Sequence, residues 1–214
     1  ARSNSNTAVG TGACQSLTTG GANATFGQNA GKFLTSGEKN TFIGTSAGLD
    51  VTTGSDGVCI GHSAGANITT GSNYVVIGKE AAFTTTSPSL TVAIGQQSLY
   101  YAVSAIRNTA VGYYSGRNAT TGDNNVYLGS SAGQFVTSGS DNVCIGYEGG
   151  ATNGVNGLTT GSNNIIIGKS TDPSSSTVSN EITLGNTDIT KFRIPGINVT
   201  LKDNGGTPTE GHVP

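Results

Sequence analysis

The nine-residue stretch NTFIGTSAG, from Asn40 to Gly48, contains the pattern that decides the fold of this chain. It places an Asn before three residues suited to a β-strand, then a Gly, two unrestricted positions and a small residue. A close copy, NTAVGYYSG, spans Asn108 to Gly116. A motif that recurs in this way indicates a repeat protein.

The repeat has a fixed period along most of the chain. The Gly that follows the strand-like residues recurs in steps of 17, except for one step of 22 between Gly146 and Gly168. We refer to these residues as the anchor glycines: Gly10, Gly27, Gly44, Gly61, Gly78, Gly95, Gly112, Gly129, Gly146, Gly168 and Gly185. We predict a solenoid domain over residues 1–185 with about eleven repeats and a five-residue insertion near 149–157. Residues 186–214, which leave the register, are predicted to form a C-terminal cap or junction segment.

The composition favours a thin, glycine-rich β structure over an ordinary globule. Charged residues make up 10% of the 214 residues, aromatic residues 6%, and 34 residues are Gly; the usual charged fraction is about 25%. Glycines at fixed places in every repeat would each cost a helix roughly 1 kcal/mol relative to Ala. Disorder gives no reason to keep a register. We therefore predict an all-β solenoid whose coils, one repeat each, stack about 4.8 Å apart.

Alternation before each anchor glycine predicts which side chains face inward. Counting each anchor glycine as position 0, positions −1 and −3 carry residues such as Ile43 and Thr41, and we predict that these face the core. Each coil is predicted to contain two short strands and two tight turns, so a charge at Ile43 should unfold neighbouring coils. Small residues at position +3, such as Ala47, suit a narrow interior. An Asn at position −4, such as Asn40, is expected to cap a turn and to form a hydrogen-bonded ladder.

Position −2 is then predicted to point outward and to form an interface with another chain. Apolar residues recur there, and a continuous exposed apolar stripe usually marks an interaction surface. The predicted interface residues are Phe42, Cys59, Val76, Tyr127, Cys144 and Ile166.

Charges and histidines give no sign of catalysis or of a charged partner. The 10 basic and 12 acidic residues are scattered, so we expect no nucleic-acid partner, and no apolar run is long enough for membrane insertion. His62 and His212 lie in unrelated contexts, and no nucleophile–base arrangement recurs near them. We expect no enzyme activity, no catalytic or metal-binding residues, and no cofactor.

Three cysteines and a row of paired hydroxyl residues leave alternatives open. Cys59 and Cys144 occupy the same repeat position five coils apart, roughly 24 Å, which is too far for a disulfide. We expect Cys14, Cys59 and Cys144 to be buried or interfacial thiols, or to form bridges between chains. Regular threonines could instead bind ice if one row faces outward. The pairs are Thr18–Thr19, Thr35–Ser36, Thr52–Thr53, Thr69–Thr70, Thr120–Thr121, Thr137–Ser138 and Thr159–Thr160.

The motifs NTFIGTSAG, GVCIGHSAG and NVYLGSSAG resemble the repeats of trimeric autotransporter adhesin heads and of related phage tail-fibre segments. The resemblance covers roughly residues 6–185. It implies a left-handed parallel β-roll, a homotrimer around a common axis, and attachment to a surface through a cell-surface receptor or a glycan. The implied location is extracellular, at a cell surface or on a virion. A subunit of a homopolymeric extracellular filament and an ice-binding solenoid are the alternative functions.

Overall fold

The computed structural model of the chain describes residues 5–151, 157–191 and 193. Within this part the fold is all-β, and it consists of eleven short strands that form one parallel sheet. The strands are β1 (Thr7–Val9), β2 (Ala24–Phe26), β3 (Thr41–Ile43), β4 (Gly57–Ile60), β5 (Tyr74–Ile77), β6 (Val92–Ile94), β7 (Thr109–Val111), β8 (Val126–Leu128), β9 (Val143–Ile145), β10 (Ile165–Ile167) and β11 (Ile182–Leu184). Their order in the sheet follows their order in the chain.

Each coil returns the chain to the same place one repeat later, so equivalent residues pair between neighbouring strands. Phe42 lies opposite Thr25 on one side and Cys59 on the other. Ile166 lies opposite Cys144 although the insertion separates them in the chain, so the insertion leaves the sheet register intact. The fold is therefore a parallel β-solenoid of about ten turns. Paired residues such as Thr7 and Ala24 are 17 apart, so the predicted 17-residue coil is confirmed. Most of the predicted segment 186–214, and residues 152–156 of the insertion, lie outside the described residues.

The prediction of two strands per coil is wrong, because each described coil contains one. After the strand, the backbone enters left-handed conformations at positions +2 and +4, with φ of +57° at Ser46 and +56° at Gly48. Such residues interrupt an extended strand. Beyond them, single hydrogen bonds join one coil to the next, such as Thr35 N to Thr52 O at 2.9 Å.

The predicted alternation is present, but the predicted inward face is wrong. Phe42 at position −2 is 0% exposed, whereas Ile43 at position −1 is 39% exposed. The ladder of Asn side chains at position −4 lies inside the coil, and residues two apart in a strand share a face, so position −2 must also point inward. The core is completed by small residues at +3 and by apolar residues at +7 such as Leu34, Val51 and Ile68.

The anchor glycines stack in one column at the corner where each strand ends. Ten of them have φ between +122° and +145°, and Gly185 has φ of +80°; side chains rarely adopt this conformation. The coils also approach closely here, because a Cβ added to Gly44 would lie 2.6 Å from the carbonyl oxygen of Gly61. Both the backbone conformation and the tight stacking therefore require Gly at this position.

The Asn ladder connects coils through buried hydrogen bonds. The Oδ1 of Asn23 accepts from the backbone N–H of Asn40 at 2.9 Å and from its side-chain amide at 3.1 Å. The same Asn40 amide donates to the carbonyl of Gly54 at 2.9 Å. Equivalent bonds join Asn6 to Asn23 and run from Asn125 through Asn142 to Asn164. Where two of these Asn residues are one repeat apart, the later one thus binds the coil before it and the turn that leads into the coil after it.

Candidate functional site

The structure brings the six residues predicted as an interface together, but inside the coil. Phe42, Cys59, Val76, Tyr127, Cys144 and Ile166 are each 0% exposed and lie in one row of the core, in which Ala93 and Ala110 stand between Val76 and Tyr127. They pack against the interior of their own chain and cannot contact another. The prediction that position −2 forms an outward interface is therefore wrong.

The side chains that do face outward from the sheet are those at positions −1 and −3, and together they form what we call the sheet face. Position −1 contributes Val9, Phe26, Ile43, Ile60, Ile77, Ile94, Val111, Leu128, Ile145, Ile167 and Leu184. Position −3 contributes Thr7, Ala24, Thr41, Val58, Val75, Val92, Thr109, Val126, Val143, Ile165 and Ile182. All these side chains are exposed or half-buried, and none carries a charge.

The large aliphatic residues of the sheet face remain accessible along its full length. Val9 is 56% exposed, Leu128 45% and Leu184 49%. Polar and charged side chains flank the face, with exposed Lys39, Asp56 and Arg107 on the side of position −5 and exposed His62 and Lys79 on the side of position +1. An apolar centre with a polar margin is the usual anatomy of a protein interface.

The described residues contain no group of three or more His, Cys, Asp or Glu side chains that could hold a metal ion. His62 is exposed at position +1, beside the anchor Gly61. His212 lies outside the described residues.

Cys59 and Cys144 are free thiols in the core row. Burial raises the pKa of Cys144 to about 12 and raises the pKa of Cys59 as well. Cys14 is half-buried, and its sulfur lies 3.3 Å from the Thr25 hydroxyl. A bridge to another chain through Cys59 or Cys144 would require the coil to open, which disfavours the cross-chain alternative for these two.

The paired hydroxyl residues form two rows, and every second member of a pair is exposed. The first member of each pair donates its hydroxyl to a carbonyl of the next coil, as from Thr35 to Thr52 O at 3.0 Å and from Thr52 to Thr69 O at 3.1 Å. Equivalent bonds start from Thr18, Thr69, Thr120, Thr137 and Thr159. The first row therefore joins coils and does not present free hydroxyl donors.

No known family model, curated protein or solved structure matches this chain. In the part of the chain that the structure describes, no helix has the length and apolar character needed to cross a membrane. The class of protein is thus defined by the fold alone: a parallel β-solenoid with an uncharged sheet face whose side chains are exposed or half-buried.

Proposed function

We propose that this chain is a structural and adhesive segment of an extracellular fibre, in which copies of the chain associate side by side through the sheet face as a homotrimer. The observation that carries the proposal is the uncharged, largely apolar surface at positions −1 and −3 of the eleven strands, whose side chains are all exposed or half-buried. The role is non-enzymatic and needs no cofactor.

The size of the sheet face supports association. Ten intervals of about 4.8 Å make it about 48 Å long, and three strand residues make it about 10 Å wide. Its area is therefore about 500 Å², which lies in the range of the largest apolar patches on single proteins, and such patches are often functional. Leaving a stripe of this kind in water would invite non-specific aggregation, so a dedicated partner is favoured.

The regularity of the sheet face supports a second copy of the chain as that partner. An aliphatic or aromatic residue recurs at position −1 on every coil, so the surface repeats about every 4.8 Å. A partner that matches it along the whole length must have the same rise per coil, and another copy of this solenoid has that rise. Closed symmetric assemblies are the usual outcome for identical chains. The number three and the left hand of the coil come from the resemblance to trimeric fibre repeats.

The location that fits this proposal is outside the cell, on a surface appendage or a virion, where the fibre attaches to a receptor or a glycan. Ice binding fits less well, because the exposed row that it would use is not a regular row of threonines: serines interrupt it at Ser36, Ser87, Ser104 and Ser138.

The mass of the purified chain in solution, measured by light scattering after size exclusion, tests the proposal. We expect three times the chain mass of 21.3 kDa. A monomer at micromolar concentration would exclude homotrimeric assembly, and a series of large polymers would favour the end-to-end filament instead.

Two matched variants on one coil test whether the sheet face is the contact. Ile43→Glu places a charge on the sheet face, and Thr53→Glu places the same charge at an exposed position elsewhere on the coil. Because Ile43 is outside the core, we expect its variant to keep the β-rich circular dichroism spectrum of the parent while its mass falls to that of one chain. Thr53→Glu should keep the parent mass. Equal masses for both variants would exclude this surface as the contact.

A further inference from the structure

Five aromatic side chains and one Arg form a cluster on three successive coils, outside the sheet face. The chain is poor in aromatic residues, at 6% of its length, yet these coils bring five of them together. We call the cluster the aromatic patch, and it consists of Phe83, Tyr100, Tyr101, Tyr113, Tyr114 and Arg117. These residues follow the anchor glycines Gly78, Gly95 and Gly112.

The centre of the aromatic patch is a stack of flat groups that rises with the coils. The rings of Phe83 and Tyr100 are parallel, with centroids 5.3 Å apart and an interplanar angle of 15°. The guanidinium of Arg117 continues the stack on the next coil, 5.5 Å from the centroid of the Tyr100 ring. The three residues occupy the same repeat position, so the coil spacing itself sets the stacking distance.

Two further rings surround the Arg117 guanidinium. It lies 5.1 Å from the centroid of Tyr101 and 5.0 Å from that of Tyr114. Tyr101 stands edge-on to Tyr100, and Tyr113 stacks on Tyr114 with centroids 3.8 Å apart. Contacts of a guanidinium with ring faces are favourable and hold the side chain in place.

A polar ladder runs beside the rings. The amide of Gln97 donates to a carboxylate oxygen of Glu80 at 2.6 Å, and its oxygen accepts from Nε of Arg117 at 3.1 Å. Asn118 adds a side-chain oxygen 3.5 Å from Nη1 of Arg117. The patch therefore combines ordered aromatic faces with planar donors and acceptors whose positions are already fixed.

The repeat itself does not require these aromatic residues. The positions of Tyr100, Tyr101 and Tyr113 are taken in other coils by small or polar residues such as Ala66, Asn67 and Ser130. Tyr101 is 40% exposed and Tyr113 is 46% exposed, so both present ring surface to the solvent. Exposed aromatic rings beside a fixed Arg offer a ligand both apolar ring faces and a cation with planar donors.

We propose that the aromatic patch binds a saccharide, with an apolar ring face of the sugar against Tyr101 or Tyr113 and its hydroxyl groups on the polar ladder. Pyranose rings have one face of C–H groups and a rim of hydroxyls, and the patch offers the matching surfaces side by side. Three coils span about 10 Å, which suits one or two sugar rings. The inference rests on the proposed attachment function and assigns that function a contact point.

The charge of the patch favours a saccharide that carries an acid group. Among the described residues, the one ion pair in this region joins Lys79 to Glu80, and no carboxylate pairs with Arg117. Its positive charge is therefore available to a sugar carboxylate, for which the planar guanidinium is well suited.

The test is binding of the full chain to a panel of immobilised pyranose oligosaccharides, followed by titration of the strongest ligand in solution. The panel contains neutral hexoses, N-acetylhexosamines, uronic acids and sialic acids. We expect binding with a preference for the acidic members. Tyr101→Ala and Tyr113→Ala should each weaken it about tenfold or more. Arg117→Gln should weaken binding of acidic saccharides more than that of neutral ones.

Tyr147→Ala is the matched control, because Tyr147 is 50% exposed and occupies the same repeat position as Tyr113, two coils away. It should bind like the parent. Failure of the parent to bind any member of the panel, or equal binding by all variants with parent melting temperature, would overturn the saccharide proposal. The solution mass of each protein is measured in the same experiment. A trimer that binds no saccharide would refute the patch and leave the proposed assembly standing, while a monomer would refute the assembly.

Discussion

Two sides of the solenoid differ in how their accessible residues vary along its axis. The sheet side carries the strands, and the turn side carries the residues that follow each anchor glycine. Both sides have uniform buried positions, because every coil must fit the same narrow interior. On the sheet side the exposed position −1 is also uniform, with an aliphatic or aromatic residue on all eleven strands. On the turn side the accessible residues change from coil to coil, as at the half-buried position +5, which is Lys32, Leu49 and Arg117 in three of the coils.

This difference separates two kinds of interaction surface. Uniformity at buried positions follows from stacking. Uniform apolar residues at accessible positions have no such cause, and they fit the proposed partner that repeats with the coils. Variation at exposed positions permits a local feature, and the aromatic patch is such a feature. Substitutions in the core row, the Asn ladder and the threonine pairs, together with a pH series, should reveal this difference between the two sides through their effects on stability.

The largest effect is expected where buried and exposed residues adjoin in strand β3. Phe42→Ala should lower the free energy of unfolding by about 3–5 kcal/mol, because it empties part of a closed core. Ile43→Ala should cost roughly 1 kcal/mol or less, since Ile43 is 39% exposed. Urea titration of both variants measures the difference. A larger loss at Ile43 than at Phe42 would contradict the inward orientation of position −2.

A smaller loss is expected at the Asn ladder, where the sheet side meets the turn. Asn125→Ala removes the bond from its amide to Gly139 O and the two bonds that its Oδ1 accepts from Asn142. The buried backbone N–H of Asn142 loses its partner, so we expect a loss of about 2–4 kcal/mol.

The neighbouring Asn124→Ala is the control for the ladder. Asn124 is exposed and bonds to Arg107 and Asp141 at the surface, so loss of these bonds should cost about 0.5 kcal/mol or less. The φ of +59° at Asn124 adds about 1 kcal/mol for Ala, and the total stays below that expected for Asn125→Ala. Thermal melts of the two variants should rank in this order, and the reverse order would refute a stabilising role for the ladder.

Stability should fall as the pH rises above about 9. Burial raises the pKa of Cys144 from 9.0 to about 12, and burial also raises the pKa values of Cys59, Tyr74 and Tyr127. Between about pH 9 and 12 the unfolded chain releases protons that the folded chain keeps, so the stability present below pH 9 is progressively lost.

Melting temperatures at pH 8, 10 and 11 measure this alkaline loss. Cys144→Ala should reduce it by removing one titrating group, whereas substitution of the exposed Tyr147 by Phe should alter it less. A melting temperature that is constant from pH 8 to 11 would show that the buried thiols and phenols do not control stability.

The smallest effect is expected at the threonine pairs of the turn side. Thr52→Val removes a hydroxyl that donates to Thr69 O, but the same carbonyl still accepts from the backbone N–H of Thr52 at 2.9 Å. The expected loss is about 1 kcal/mol. Thr53→Val, at the exposed member of the pair, should be nearly neutral. A larger loss of stability for Thr53→Val than for Thr52→Val would show that the hydroxyl of the first threonine does not stabilise the contact between coils.

The candidate site could be predicted only in part. Regular apolar residues before each anchor glycine predict an exposed stripe. The pattern alone does not show whether the row of Phe42 or that of Ile43 faces outward, and the prediction of the Phe42 row is wrong. The position of Asn40 could have corrected this, because an Asn that forms a buried ladder shares its face with the residue two places on. The aromatic patch had a signal too, since Phe83 and Tyr100 are one repeat apart and must therefore stack.

The amino-acid sequence by itself determined the parallel β-solenoid, its 17-residue coil and the column of anchor glycines. A fixed period forces equivalent residues into contact, whatever the shape of the coil. The tertiary structure decided which face of each strand is buried and that each coil has one strand. Alternation shows only that successive side chains face opposite sides of a strand. Which of the two sets is buried depends on where the chain turns and on which side chains fit inside the coil. Phe42 faces inward and Ile43 outward because the coil closes around the Asn ladder.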